Sequence, residues 1–375
     1  MNGFTSWWRT VGVLTGLELR QRTRATRWRI LLGVFFLVVS AVVFGLMWFI
    51  TTSSPDNGWQ TFTENLYFIV LGFVGFLGLV ISPTMTATSI NGDRKDATLA
   101  VVQATPVSGA QLATGKLLGA WIASCALLAV SAPYLVWAIT LVEYPVVYSV
   151  LGIAVTALIF LSYCGIGLGF SALLARPIGS AAITQLSVLF LLIGLPILAL
   201  LLIPTTKDEM TADRPYWTYS DDGGSGTCRI ERTTVTVEHT ERIWWIVAPN
   251  PAVVLADAAA QRDAGRSNQW RRYADYTDAA GRQMRPPSES GLAGLADSVS
   301  ELRTAPDTNQ DRTCGRASND HSVYTEYLGT DDRYLGHTWY WGLLANLALG
   351  GIGLAFAARR LRVPAGKLPR SVRIA

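Results

Sequence analysis

The residues of this chain that come nearest to a catalytic pattern lie between positions 107 and 117. Gly109, Gly115 and Lys116 are spaced almost like the glycines and lysine of a loop that wraps nucleotide phosphates with its backbone N–H groups. Such a loop needs four residues between the glycines and a Ser or Thr after the lysine. Here five residues intervene and Leu117 follows, so the spacing predicts no ATP hydrolysis by this chain.

Other catalytic and metal-binding patterns are equally incomplete. The sequence has no Gly-x-Ser-x-Gly or His-Glu-x-x-His motif. The three histidines, His239, His321 and His337, fall in one polar segment without an obvious convergent ligand set. We therefore predict neither enzymatic activity nor a bound cofactor or metal. The many Asp and Glu of that segment leave an enzyme or receptor site there as an alternative, although a solvated acidic surface explains them equally well.

The composition is that of an integral membrane protein. Of 375 residues, 50% are hydrophobic and 15% are charged, and the mean hydropathy is +0.30. Runs of about 20 apolar residues predict membrane-spanning helices. We predict six, at residues 30–50, 66–88, 117–141, 146–174, 180–203 and 338–358, and none contains Asp, Glu, Lys or Arg. Lys116 lies at an edge, where its long side chain is expected to reach the membrane interface. Spans without ionisable groups predict that transport energy comes from another subunit.

The basic residues predict the orientation. Arginines cluster before the first span and after the last, whereas residues 51–64 and 142–145 contain no Lys or Arg. By the positive-inside rule both termini are cytoplasmic, including a basic tail at 359–375, and residues 204–337 are extracytoplasmic. That segment has 15 Lys and Arg against 21 Asp and Glu, a net charge of −6. The basic excess elsewhere predicts contact with membrane lipids. No nucleic-acid-binding module accompanies it, so no nucleic-acid partner is predicted.

The segment 204–337 is predicted to be an extracytoplasmic α+β domain between helices 5 and 6. Residues 229–238 alternate as an exposed strand does, and 251–261 and 290–303 have helical patterns. Cys228 and Cys314 both lie in this segment, in an oxidising space. We predict a disulfide between them, which would contribute about 4–5 kcal/mol in the chain-entropy model. Two free thiols or a metal site are the alternatives.

The first 29 residues are predicted to form a cytoplasmic interfacial amphipathic helix over 4–24, whose apolar face is Trp7, Trp8, Val11, Leu14 and Leu17. Within the spans, small residues at helical spacing predict close packing of helices. These residues are Gly72, Gly75, Gly78, Gly115, Gly119, Gly165 and Gly169. Pro133 and Pro196 are predicted to kink the third and fifth spans. Cys125 and Cys164 are interpreted as small core residues.

A charged bridge at residues 91–116 joins the second and third spans on the predicted cytoplasmic side. Asp93, with Asp96 three residues on, is predicted to cap a helix that continues over 97–104 and stops at Thr105-Pro106. Ser108 is predicted to cap the next helix, which enters the membrane. A short charged helix at the mouth of a membrane bundle is suited to docking against a partner protein.

The sequence of this bridge resembles that of a known family. The run from Ile90 to Ser108, followed by Gly115-Lys116-Leu117, is similar to the cytoplasmic loop of ABC-2 type ABC transporter permeases. Residues 244–260, with their Ala-Pro-Asn-Pro run, resemble actinobacterial members of that family. The resemblance implies a mainly α, polytopic type V exporter-like fold in a bacterial cytoplasmic membrane. It also implies that residues 93–104 are a coupling helix. Its ATPase-coupling residues would be Asp93, Arg94, Lys95 and Asp96 for charged contacts, with Leu99 and Val102 as an apolar anchor.

The resemblance further implies partners and an activity. Separate ABC ATPase subunits would bind ATP and Mg, and a second copy or a homologous permease would complete the assembly. The expected function is ATP-driven export of a lipophilic, drug-like, lipid, glycan or peptide substrate. The large outer segment leaves a second hypothesis, in which the ATPase drives a mechanical signal to an envelope partner without moving a solute.

Overall fold

The computed structural model describes residues 3–95, 107–141, 146–218, 227–259, 298–300, 302–305 and 336–361, with the backbone alone at 212–218 and 227–228. The described chain is mostly helical. Its helices are α1 (Gly3–Arg24), α2 (Thr26–Ser53), α3 (Gly58–Ala87), α4 (Ser89–Lys95), α5 (Gly109–Val130), α6 (Ala132–Leu141), α7 (Val146–Leu173), α8 (Pro177–Leu189), α9 (Leu195–Leu202), α10 (Pro251–Ala259) and α11 (Trp339–Arg360). A π-helical turn, Phe190–Gly194, joins α8 to α9, and strands β1 (Lys207–Thr218) and β2 (Thr227–Glu238) follow.

Six helical segments in the described chain are long and apolar enough to cross a membrane, which confirms the predicted number and places of the spans. Most of the helices begin earlier or end later than predicted, whereas the fourth, Val146–Leu173, ends one residue before its predicted bound. The second begins at Gly58 instead of 66, and the third at Gly109 instead of 117. The difference has a simple cause, since a helix can continue into polar residues after its apolar run has ended.

The spans form one bundle in which α3, α7 and α11 run parallel. Residues 67 and 71 of α3 contact Gly152 of α7, and Pro83 and Thr86 contact Gly167. On the other side of α7, Gly165 and Gly169 lie against Gly350 and Gly353 of α11. A Cβ built at Gly165 would lie 2.5 Å from the Gly350 carbonyl oxygen, so only glycine permits this approach. The close packing predicted from these small residues is confirmed.

Not every predicted glycine contact exists. A Cβ at Gly78 would lie within the Phe160 ring, 1.9 Å from Cζ, which confirms close packing there. At Gly72, a Cβ would meet only Phe68 of the same helix, at 3.8 Å. Gly72 therefore lies beside open space instead of a neighbouring backbone.

The regular α-helix is interrupted beside both prolines predicted to kink a span, and the bends themselves stay a prediction. The third span breaks at Ser131, and Pro133 is the second residue of the short helix α6. In the fifth span, Pro196 follows the π-helical turn and is the second residue of α9. Proline lacks an N–H and therefore fits the first turn of a helix better than its interior.

Helix α1 packs along α5, with Leu14 against Gly115 and Glu18 against Gly119. Val11 and Thr15 are buried in this contact, whereas Trp8 and Leu17 are about half exposed. The face toward α5 thus includes the polar residues Thr15 and Glu18, and contact of the apolar face with the membrane interface stays a prediction.

The segment after the fifth span begins with a two-stranded antiparallel hairpin, from the pair Lys207–Glu238 to the pair Thr218–Thr227. The strand predicted at 229–238 is confirmed. The helix predicted at 251–261 is confirmed as α10, but it packs against α7, α11 and α3 with seven of its nine residues buried. Most of the helix predicted at 290–303 lies outside the described residues.

Candidate functional site

The predicted coupling region is described only in its first part. Helix α4 is described as far as Lys95, and Asp96, Leu99 and Val102 lie outside the described residues. The prediction that Asp93 caps a helix start is wrong, because Asp93 is the fifth residue of α4, which follows α3 almost directly. Arg94 and Lys95 are exposed at the end of this helix.

The start of α4 is fixed to the ends of two neighbouring spans. Ile90 is fully buried, and its backbone N–H donates to the Ser171 hydroxyl of α7 at 2.9 Å. The Asn91 side chain donates to the Leu174 carbonyl at 3.4 Å. From α8, the Ser180 hydroxyl donates to the Ala87 carbonyl at 2.6 Å. These bonds fix the first residues of α4 to the neighbouring helices.

Lys116 connects this helix to α1 and α5. Its Nζ lies 2.7 Å from a carboxylate oxygen of Glu18 and 2.7 Å from one of Asp93. The lysine side chain is only 8% exposed, and Glu18 is 18% exposed. The prediction that Lys116 reaches the membrane interface is therefore wrong, because α1 covers it. A buried ammonium needs paired carboxylates to compensate for lost hydration. We call these three residues the inner charge cluster.

Hydrogen bonds also engage polar groups at the neighbouring helix ends. The Ser108 hydroxyl accepts from the Gln111 N–H, while the Gln111 side chain accepts from the Ser108 N–H at 2.8 Å. This capping box confirms the cap predicted at Ser108. Nearby, the Arg22 guanidinium of α1 donates to the Met85 carbonyl of α3 at 3.3 Å. Helices α1, α3, α4 and α5 are thus joined by polar contacts at this end of the bundle.

A second polar site lies at the opposite end, where α11 begins. Asp257 of α10 is buried, and its Oδ2 accepts from the backbone N–H groups of Thr338 at 2.5 Å and Trp339 at 2.7 Å. A carboxylate here satisfies N–H groups that have no partner within the helix and faces the positive end of the helix dipole. One residue of α10 therefore fixes the start of the last span.

His337 completes this site, which we call the outer clamp. Its Nδ1 lies 2.9 Å from the Asp257 carbonyl oxygen and 3.2 Å from the Asp257 carboxylate. The hydrogen bond to the Asp257 side chain raises the pKa of His337 above its ordinary value, against the opposing effect of partial burial. Sequence reasoning missed Asp257. The available signal was a single acid within the otherwise apolar run of α10.

Asn250 fixes the other end of α10. Its Oδ1 accepts from the Ala252 N–H at 2.9 Å, as an N-cap residue does. Its Nδ2 donates to the carbonyls of Leu191 at 3.0 Å and Leu192 at 2.7 Å, in the π-helical turn. Pro196 could not donate to either carbonyl because it has no N–H. The asparagine thus supplies a donor that the proline removes from the fifth span.

The predicted disulfide is not tested by this geometry. Cys228 lies on β2 opposite Trp217, and Cys314 lies outside the described residues, so the pairing stays a prediction. Cys164 is buried, as predicted for a core residue, and Cys125 is partly buried. No model of a known protein family matches this chain, and no curated protein is significantly similar to it in sequence.

Proposed function

We propose that this chain is the membrane-spanning subunit of an exporter driven by separate ATPase subunits. The observation that carries the proposal is the inner charge cluster, which fixes α4 to α1 and α5 while Arg94 and Lys95 remain exposed. A partner that pushed on the exposed residues would meet a helix attached to α1, to α5 and, through Ser171, to α7. The resemblance of residues 90–117 to a coupling loop supplies the kind of partner.

The spans support an external energy source. In the described bundle, the two buried charged groups, Lys116 and Asp257, are both engaged near helix ends by oppositely charged or hydrogen-bonding partners. Ion-coupled transporters place ionisable groups near the middle of the membrane. The two buried charged groups instead hold helices together, as is expected in a bundle that another protein moves.

The test is ATP hydrolysis by the purified complex of this chain with its co-purifying ATPase, reconstituted in vesicles. Arg94→Glu and Leu99→Asp are expected to reduce the stimulation of ATP hydrolysis at least tenfold while leaving membrane insertion intact. Arg360→Glu is the matched control, because it makes the same charge change at an exposed arginine at the end of α11. Normal stimulation by both the Arg94→Glu and the Leu99→Asp variant, or failure of any ATPase to co-purify, would contradict the proposal.

A mechanical signalling role is the second candidate, and the outer clamp favours it. The segment outside the spans is joined to α11 through Asp257 and through Asn346, which donates to the Pro249 carbonyl at 2.8 Å. Arg303 also donates to the Gly336 carbonyl at 2.7 Å, just before the span. Movement of the last span would therefore be transmitted to the outer segment.

Deletion distinguishes the two functions. Removing residues 211–334 would also remove α10 and Asp257, so a sharper variant replaces residues 208–237 and 262–296 with short Gly-Ser linkers and keeps 238–261. Export by this variant would rule out the mechanical role. The mechanical role would be supported if this variant lost an envelope response while its ATP hydrolysis stayed intact, and if the native complex showed no measurable efflux.

A further inference from the structure

A cavity of about 110 Å³ lies between α3, α7, the π-helical turn and α10. Phe68, Gly72 and Phe76 of α3 form one wall, and Phe160 of α7 and Leu255 of α10 form part of the others. The space beside Gly72 contributes to it, since a Cβ there would meet only Phe68. Helix α10 covers one end of the cavity.

The chemistry of the wall restricts what could bind. The residues lining the cavity include no charged side chain, and their one hydroxyl, that of Thr156, donates to the Gly152 carbonyl of its own helix at 2.8 Å. A polar ligand would therefore lose its hydration without gaining hydrogen bonds from these side chains. An apolar cavity of this size also excludes water, since water needs two to four polar partners. The suitable occupant is hydrocarbon.

The position of the cavity indicates where that hydrocarbon comes from. Phe76 lines the cavity and is 49% exposed on the outside of the bundle, and Leu192 at another side is partly exposed. Both residues lie within helices apolar enough to span a membrane, away from the ends of those helices. The surroundings of the cavity at this depth are lipid acyl chains.

We propose that this cavity binds a segment of one acyl chain of a membrane phospholipid, held between α3 and α10. The chain fills the space beside Gly72, where a side chain would otherwise be needed for close packing. It also supports α10, which carries Leu255 into the cavity wall and Asp257 onto the start of α11. This inference does not depend on an ATPase partner.

The test uses the full-length protein in phosphatidylcholine vesicles that contain a phosphatidylcholine with a diazirine in the middle of one acyl chain. After irradiation, mass spectrometry should locate adducts on residues 68–79 and 251–256 at a frequency at least fivefold above that on the lipid-facing residues of α2. Gly72→Leu, which fills the cavity from α3, should reduce these adducts at least fivefold. Gly45→Leu on α2 is the matched control, because a Cβ there meets nothing within 4 Å.

A second variant keeps the test decisive if Gly72→Leu misfolds. Ala252→Phe fills the same cavity from α10, where Ala252 is exposed. Adducts no more frequent than on α2, or unchanged by the filling substitutions in folded protein, would overturn the proposal. Competition is a further check. If an equal concentration of a diazirine-labelled free fatty acid, or of an added exported lipophile, displaced the phospholipid adducts completely, the site would serve another apolar ligand and the proposal would be overturned.

Discussion

At the residue scale, the inner charge cluster and the outer clamp each place a charged side chain where helices meet. Lys116 lies between two carboxylates, and Asp257 lies against backbone N–H groups and an imidazole. In both sites the charge is compensated by partners on other elements. Removing one partner therefore takes away the compensation of the charge that remains. The resulting loss of folding free energy is larger than the contribution of the contact itself.

Lys116→Met is expected to lower the free energy of unfolding by about 3 kcal/mol, because it removes the buried ammonium that the Glu18 and Asp93 carboxylates share. Asp93→Asn should cost less, because Asp93 is 35% exposed and Glu18 would still neutralise the lysine. Thermal unfolding of purified protein in detergent measures both. Equal effects of the two substitutions would contradict the assignment of Lys116 as the centre of the cluster.

The outer clamp predicts a pH dependence. Because hydrogen bonding to Asp257 raises the pKa of His337, the protonated imidazole stabilises the fold. This contribution is fully present below the unfolded pKa of about 6.5 and is lost as the pH rises through the higher folded pKa. The melting temperature should therefore fall as the pH is raised from about 6 toward 8.5.

His337→Gln should remove that part of the pH dependence while lowering stability at pH 6, and Asp257→Asn should remove it as well. His239→Gln, at the base of the hairpin, serves as the control for a general effect of losing a histidine. Identical pH profiles for the native protein and His337→Gln would show that the imidazole does not stabilise α11.

At the element scale, the interruption of the fifth span leaves helix carbonyls that accept hydrogen bonds from the residue before α10. Pro196 leaves helix carbonyls without its N–H as a donor, and the Asn250 amide donates to two of them. The same asparagine caps α10. The π-helical turn is thus a connection between the fifth span and the segment that follows it.

This connection predicts an interaction between two substitutions. Asn250→Ala should cost about 1–3 kcal/mol of unfolding free energy in the native chain, since buried carbonyls lose a donor. In a Pro196→Ala background residue 196 regains its N–H, so the same substitution should cost about 1 kcal/mol less. A double-mutant cycle by thermal unfolding measures the difference. Strict additivity would mean that Asn250 acts only as a helix cap.

At the scale of the whole molecule, six apolar helices support a multi-pass membrane protein, and the charge distribution predicts its orientation. In the structure the hairpin and α4 lie at opposite ends of α3 and its neighbours. The inner charge cluster and the outer clamp are therefore separated by the length of the spans. A movement of α4 could reach α11 through the close glycine contacts of α3, α7 and α11.

The orientation is tested by labelling single cysteines in a variant whose four natural cysteines are replaced. A membrane-impermeant maleimide should label Thr234→Cys, on the exposed hairpin, in intact cells. Arg94→Cys should react only after the membrane is opened. The reverse pattern would place α4 outside the cell and would also contradict the proposed ATPase contact.

The sequence by itself determined what depends on residues close together in the chain. The six spans, the Ser108 cap, the interruptions at Pro133 and Pro196 and the strand at 229–238 follow from apolar length, capping chemistry and alternation. Close packing was predicted correctly at Gly165 and Gly169, because small residues at helical spacing have few other uses in a membrane.

Only the tertiary structure decided which distant residues meet. Lys116 was assigned to the interface because a lysine beside an apolar run has that option, and its burial depends on Glu18, 98 positions away. In the sequence Asp257 is one acid among many, and only the position of α10 inside the bundle brings it to the start of α11. Apolar periodicity is repeated in every turn of a helix, so it can be recognised in the sequence. A charge pair occurs once, and it forms only because the packing of the whole bundle brings its two helices together.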